Sequence, residues 1–243
     1  MNIFEYALLC IVFLLAGAGI AVWLSNKNRK GTLQDILSFS GAFLFAILIL
    51  ELFPAIFTGH HHQIGLFVLM GFFLQIGMDI LTRGVEHGHL HLHEYEKSRS
   101  LILPLFLGLG VHALLDGLPF VGFDVLKESH IHTIYTGILL HKVAEGFTLF
   151  MVMNILGKSR NQSLLWIAVF SLITPIGMLL LQSVPFLMNQ LNYVLAFAAG
   201  SLLHVSITIL FESENLHHHG IAWRKLIWIA LGIGLAFGLL SFS

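Results

Sequence analysis

Cysteine is almost absent from this chain, whose 243 residues contain only Cys10. A lone thiol can form no disulfide within the chain and cannot supply the several thiolates of a structural zinc site. Charged residues are scarce as well, at 10% of the sequence, against about 25% in a typical soluble domain. The net charge of -1 gives no reason to expect a nucleic-acid partner. Hydrophobic residues make up 57% of the chain, which indicates a protein whose solvent is the lipid bilayer.

Long apolar runs fill most of the sequence, and the connections between them are too short for a soluble domain. Backbone polar groups in lipid must be satisfied within their own segment, so we expect helices of about 20 apolar residues. Residues 3–24 are interpreted as the first span and not as a signal peptide, because no basic segment precedes them. We therefore predict an all-α, polytopic membrane protein with one transmembrane domain over 1–243 and a histidine-rich connection over about 84–99. The eight predicted spans are about 3–24, 35–57, 64–83, 100–121, 132–157, 162–186, 190–212 and 221–243.

Positive residues are distributed unevenly between the connections. Lysine and arginine are enriched on the cytoplasmic side of membrane proteins. Here they cluster in the odd-numbered connections, whereas the even-numbered ones contain only Lys127. We therefore expect the odd-numbered connections to be cytoplasmic and both termini to lie outside. The residues that carry this bias are Lys27, Arg29, Lys30, Arg83, Lys97, Arg99, Lys158, Arg160, Arg224 and Lys225.

Two short segments nearly repeat each other, His-Ala-Leu-Leu-Asp-Gly at 112–117 and His-Lys-Val-Ala-Glu-Gly at 141–146. A carboxylate within lipid costs roughly 2.5–3.5 kcal/mol on insertion scales, so the repetition needs a reason. Spacing of i and i+4 places each histidine and its carboxylate on one helix face, and antiparallel neighbours bring the two pairs level. Neutral imidazole and carboxylate favour Zn, Fe or Mn over Cu(I). Two structural His–carboxylate hydrogen bonds are the alternative to the predicted metal ligands, His112, Asp116, His141 and Glu145.

Lys142 directly follows one of these predicted ligands, about 100° further round the helix. As a protonated amine it cannot ligate a metal. One interpretation is a fixed cation beside the site, in the space that a second ion would use. The other is a counter-ion to Asp116, Glu145 or Asp79, or a side chain that snorkels to the membrane interface.

Further ionisable residues lie in other predicted spans, where such groups are candidates for an ion path. Glu51 and His204 lie deep in their spans and are the better candidates. Asp79 and Glu212 lie closer to the interface, where an ordinary charge at a helix end is the simpler interpretation.

Histidine is abundant, with 15 copies, and many of these fall in three of the connections. Dense histidine tracts bind metal by composition alone, so we expect weak metal collection here. Solvated linkers are the alternative, since no tract has the spacing of a closed zinc site. The residues are His60, His61, His62, His87, His89, His91, His93, His217, His218 and His219.

Segments 112–117 and 141–146 in adjacent spans resemble those of the ZIP (Zrt/Irt-like) family of divalent metal transporters, and the resemblance covers essentially the whole chain. Thr174-Pro175-Ile-Gly177 in the sixth span supports it, and Gly200-Ser-Leu-Leu-His204 is a weaker match. The resemblance implies uptake of Zn²⁺, or of Fe²⁺, Mn²⁺ or Cd²⁺, into the cytoplasm through the four residues named above. It also implies inverted three-helix repeats around helices 4 and 5, and alternating access in which one bundle slides against another.

The chain departs from the family pattern at two positions. Many members carry Asn after the histidine of the fourth span, where this chain has Ala113. Some carry an acidic residue where this chain has Lys142. Both positions would serve a second metal in binuclear members, so we expect this chain to bind one ion.

The expected protein is therefore a transporter in the cell membrane, the inner membrane if the source is bacterial. Its partners would be the transported ion, the lipid bilayer and, as a candidate, a second copy of the chain in a homodimer. We expect no enzymatic activity and no catalytic cofactor. An intramembrane zinc hydrolase is the first alternative, although no span contains His-Glu-x-x-His. A metal efflux carrier is the second, although such carriers have a soluble C-terminal domain that we do not see here.

Overall fold

A computed structural model describes residues 2–24, 26–57, 61–82, 102–121, 128–211 and 219–241. Within these ranges the chain is helical and contains no strand, as predicted. Three helices are interrupted or extended: α2 by a π-helical turn, α4 by a 3₁₀ turn and α6 by a break. The helices are α1 (Ile3–Trp23), α2 (Asn26–Ile47, then Leu48–Leu52 and Phe53–Ile56), α3 (His61–Thr82), α4 (Ile102–Leu115, then Leu118–Val121), α5 (Glu128–Ile155), α6 (Arg160–Phe170 and Ile173–Ser183), α7 (Leu191–Phe211) and α8 (His219–Ser241), with a short helix Pro185–Asn189 between α6 and α7.

Seven of the helical segments in the described ranges are long and apolar enough to cross a membrane. The fourth predicted span corresponds to a shorter apolar segment, Leu105–Val121. Each predicted span coincides with one of our numbered helices, but α2 begins at Asn26 and not near residue 35. Hydropathy marks only the part of a helix that lies in lipid, and a helix can continue beyond it through charged residues. The count of eight spans and the outward termini stay predictions, and the connection 84–99 lies outside the described residues.

The π-helical turn of α2 follows from Pro54. A proline has no N–H group, and its ring crowds the carbonyl of the residue four positions earlier. The chain widens by one residue over Leu48–Leu52, so that the Phe53 N–H donates to the Leu48 carbonyl five residues back. Turns of this kind occur mostly as single insertions in α-helices, often at functional sites. Here the turn contains the buried Glu51.

The break in α6 has the same origin in Pro175. The first half ends at Phe170 and the second begins at Ile173, so the axis is interrupted just before the proline. Ser171 closes the first half by donating its N–H to the Ile167 carbonyl at 2.8 Å. A proline within a transmembrane segment commonly interrupts or kinks the helix, and the interruption is what the structure has here.

Helices cross most closely where two glycines meet. A Cβ atom at Gly146 would lie 1.9 Å from the Leu14 carbonyl oxygen, and one at Gly17 would lie 2.0 Å from that of Val143. These two glycines bring α1 against α5. The same reciprocal arrangement joins α4 to α6 through Gly117 and Gly177, and α3 to α7 through Gly71 and Gly200. Small residues at helix crossings are the usual means of tight packing in membranes.

The contacts divide the helices into two groups. In the first group α1 packs extensively on α5, and α4 packs on α6. In the second, α7 packs on α3 and α2 packs on α8. The groups meet chiefly where α2 contacts α5 and where α3 contacts α4. Helix α5 is central, with 78% of its apolar window buried, whereas the window of α8 is only 11% buried.

Candidate metal centre

Three side chains of types that can bind a metal ion converge where α4 lies beside α5. The Nε2 atoms of His112 and His141 are 3.3 Å apart, and His112 Nε2 is 3.5 Å from Asp116 Oδ2. The Asp116 N–H donates to the His112 carbonyl at 3.0 Å, which extends the helical turn and keeps both side chains on one face. All three side chains are buried, with at most 4% of each residue exposed. Among the described residues they form the only group of three or more His, Cys, Asp or Glu within 4.8 Å.

The spacing of these atoms suits a small divalent ion. Zinc–nitrogen bonds of about 2.0–2.1 Å place two ligands of a tetrahedral ion about 3.3 Å apart. The two imidazole nitrogens are already at that separation, and the distance from His112 Nε2 to Asp116 Oδ2 is within 0.2 Å of it. An ion bound between the two histidines would therefore require little movement of their rings.

Glu145, the fourth predicted ligand, is not part of this close group. Its Oε2 atom accepts a hydrogen bond of 2.6 Å from the Lys142 ammonium, which donates at the same distance to Asp116 Oδ2. The lysine is fully buried and connects the two carboxylates. Lys142 therefore contacts two of the three carboxylates for which it was a candidate counter-ion, Asp116 and Glu145. Among the described residues, its contacts do not include the third, Asp79.

Several polar atoms of the cluster could still accept or donate a hydrogen bond or bind an ion. Among the described residues, Asp116 Oδ1, Glu145 Oε1 and His112 Nδ1 are buried and have no hydrogen-bond partner. Such atoms are costly unless a ligand or water satisfies them. On the other histidine, the Ser40 hydroxyl lies 3.5 Å from His141 Nδ1. Ser40 belongs to α2, so the second helix group contacts the imidazole ring of His141, a predicted metal ligand. A hydrogen-bonded outer partner of this kind orients a metal-binding histidine.

The surroundings of the cluster differ between its two ends. Toward the start of α1 and α5, the rings of Tyr6, Phe120 and Tyr135 pack together, with centroids 4.5–5.4 Å apart. All three residues are at most 2% exposed, so they close this end. Toward the end of α5 lies a cavity of about 20 Å³, enough for about one water molecule. Its lining consists of Leu37, Leu109, His112, His141, Glu145, Thr148, Leu149, Val152 and Val205.

The other predicted residues of an ion path do not join this cluster. Asp79 and His204 pair with each other between α3 and α7 through a short Oδ2–Nε2 contact. Asp79 therefore has a specific partner on another helix, which the sequence analysis did not anticipate. Glu51 is buried in the π-helical turn of α2. Glu212 lies outside the described residues.

Of the histidine tracts, only His62 has a described side chain, and it is exposed at the start of α3. His61 and His219 begin helices, but their side chains lie outside the description. The other members, also outside the described residues, are His60, His87, His89, His91, His93, His217 and His218.

Sequence reasoning overlooked three parts of this environment. The Ser40 contact was one, although a serine in an apolar run on a neighbouring helix is a weak signal for it. The aromatic closure by Tyr6, Phe120 and Tyr135 joins three helices and has no local pattern. The third is the pairing of Asp35 on α2 with Arg224 on α8, whose Nε donates to Asp35 Oδ1 at 2.8 Å.

Buried imidazoles and carboxylates within a bundle of apolar helices are typical of membrane proteins that bind and move ions. Residues 86–240 match the model of the ZIP zinc transporter family, and the match includes both 112–117 and 141–146. It covers more than half of the chain, and the chain belongs to the ZIP family. It is a multi-pass membrane protein and a divalent metal transporter, from a family of transporters and not of enzymes. No curated protein matches the chain.

Proposed function

We propose that this protein carries one divalent transition-metal ion at a time, zinc first among them, into the cytoplasm. The ligands are His112, Asp116, His141 and Glu145. The 3.3 Å separation of the two histidine Nε2 atoms, beside a buried carboxylate, is the observation that carries the proposal. Two carboxylates offset the charge of the ion in a medium of low dielectric constant.

The direction of the path follows from the proposed orientation. If the N-terminus is outside, the cluster of Tyr6, Phe120 and Tyr135 closes the outer end, and the cavity beside Thr148 lies on the cytoplasmic side. This favours an inward-facing arrangement in which the ion leaves past Val152. The histidine tracts would then collect ions on each side of the membrane.

Alternating access requires the site to move relative to a second body. The proposed ligands all belong to the group of α1, α4, α5 and α6. The second group contributes Ser40, whose contact with His141 is long at 3.5 Å and would be exchanged easily. We propose that the two groups slide along the contact of α2 with α5. The chain would form one transmembrane domain of eight spans in the cell membrane, with inverted three-helix repeats and a homodimer as its assembly.

Uptake into proteoliposomes tests the substrate and mechanism. Purified protein is reconstituted, and the initial uptake rates of Zn²⁺, Fe²⁺, Mn²⁺ and Cd²⁺ are measured against Glu145→Ala. We expect saturable zinc uptake that the variant loses. Equal zinc uptake rates for the wild type and the variant would contradict the ligand assignment. If vesicles with the wild-type protein take up no more zinc than empty vesicles, the transport proposal is contradicted.

Sidedness is tested with membrane-impermeant maleimide on intact cells. The native Cys10 is buried at 1% exposure, so single cysteines can be introduced at exposed asparagines without background labelling. Asn161→Cys, at the start of α6, is expected to be protected, and Asn189→Cys, at the end of the short helix between α6 and α7, is expected to react. The reverse pattern would place the cavity outside and favour the efflux alternative.

A further inference from the structure

Lys142 occupies an unusual place for a lysine. Its side chain is fully buried in the middle of the central helix α5, and its ammonium touches two of the proposed metal ligands at 2.6 Å each. The Asp116 oxygen that it holds, Oδ2, is the same atom that lies 3.5 Å from His112 Nε2. An ion bound between His112 Nε2 and Asp116 Oδ2 would therefore compete with the lysine for this oxygen.

Both carboxylates have an oxygen atom that the Lys142 ammonium does not use, so a metal ion could replace the ammonium stepwise. Asp116 Oδ1 and Glu145 Oε1 are buried and have no hydrogen-bond partner among the described residues. Each carboxylate thus has one oxygen held by the ammonium and one that is unused. The ammonium can yield Oδ2 and Oε2 to an ion by a small displacement, without release or uptake of a proton.

The lysine lowers the net negative charge of the cluster when no ion is bound. With neutral imidazoles, the empty cluster of Asp116, Glu145 and Lys142 carries one net negative charge, and a divalent ion changes it to one net positive charge. Without the lysine, the empty cluster would carry two negative charges. The cost of a charge in a low-dielectric interior rises with its square, so that the empty site would become much harder to move.

We propose that Lys142 is a tethered counter-cation, which holds the ligand oxygens of Asp116 and Glu145 when no ion is bound and yields them when one arrives. It enables the empty carrier to return across the bilayer. This inference rests on the proposed function, because only a carrier that alternates must return empty.

Two kinds of flux separate this role from a structural one. Net zinc uptake into zinc-free proteoliposomes requires the empty carrier to return, whereas exchange of labelled zinc against internal zinc does not. For Lys142→Met we expect net uptake to fall by about tenfold or more, with exchange nearly unchanged, which corresponds to about 1.4 kcal/mol on the return step. Zinc binding in detergent should be retained in Lys142→Met, because the lysine competes with the ion and does not ligate it. Lys158→Met, which removes a lysine beyond the end of α5, is the matched control and should change neither flux.

Other outcomes would overturn the inference. Equal losses of net uptake and exchange, in a protein that still binds zinc, would show a structural role. Unchanged fluxes would show no role at all. If Lys142→Met does not fold, Lys142→Gln provides the same comparison with a polar neutral side chain. A wild-type protein without either flux would contradict the proposed function itself, before any variant is compared.

Discussion

The Nε2 atoms of His112 and His141 lie 3.3 Å apart, although the two residues are 29 positions apart in the sequence. One belongs to α4 and the other to α5, so only the packing of these helices brings them together. A hydrogen bond between the rings is one use of this contact, and a metal ion shared by both nitrogens is the use that we propose.

Removal of one of these rings should destroy strong metal binding. Residues that only hydrogen-bond to a metal ligand are worth about 10–100-fold in metal affinity, so loss of a direct ligand in His141→Ala should weaken zinc binding by at least about 100-fold. Equilibrium dialysis with purified protein measures this directly. His132→Ala, at an exposed histidine on the same helix, is the matched control and should bind zinc as the wild type does. Equal affinities of His141→Ala and wild type would place the site elsewhere.

The cavity beside the cluster should be needed for release and not for binding. Val152→Phe would fill a space of about 20 Å³ with a larger side chain. We expect the maximal rate of zinc uptake to fall by about tenfold, with little change in zinc affinity, because the blocked step follows binding. Val169→Phe is the control, since that valine is 55% exposed on α6. A loss of affinity without a loss of rate would contradict the assignment of this cavity to the exit path.

The glycine after Glu145 should be essential for packing. A Cβ at Gly146 would lie 1.9 Å from a backbone oxygen of α1, so Gly146→Ala should force the helices apart. Overpacking typically costs about 1–3 kcal/mol, and a clash with backbone belongs at the upper end. Gly65→Ala, where the added methyl group would meet nothing within 4 Å, should leave stability unchanged. Thermal unfolding in detergent compares them, and a lower melting temperature for Gly65→Ala than for Gly146→Ala would refute the packing explanation.

The pair formed by Asp79 and His204 should stabilise the second helix group without affecting the ion. Hydrogen bonds between membrane helices contribute about 0.6–2 kcal/mol, so a double-mutant cycle of Asp79→Asn and His204→Ala should give a coupling of that size. Zinc affinity should change by less than about twofold, since the pair lies outside the cluster of His112 and His141. A loss of affinity comparable with that of His141→Ala would show that the pair belongs to the ion path.

The sequence predicts the helices and the closeness of His112 to Asp116, because both depend on local spacing. Apolar runs mark each helix, and the interval from His112 to Asp116 places two donors on one face. The position of Glu145 could not be predicted in this way. Its carboxylate turns to Lys142, and that choice depends on an ammonium whose direction is set by the packing of α5 among its neighbours. The same applies to Asp79, whose partner on α7 follows from a helix crossing at Gly71 and Gly200.

The most direct measurement is the initial rate of zinc uptake into proteoliposomes by the wild type and by the double variant His112→Ala, His141→Ala. Both proteins are reconstituted at equal density, and His132→Ala is carried through as the control. If the two buried rings bind the transported ion, the double variant will show only the leak of empty vesicles while the control retains the wild-type rate. Uptake by the double variant at the rate of the control would contradict the account.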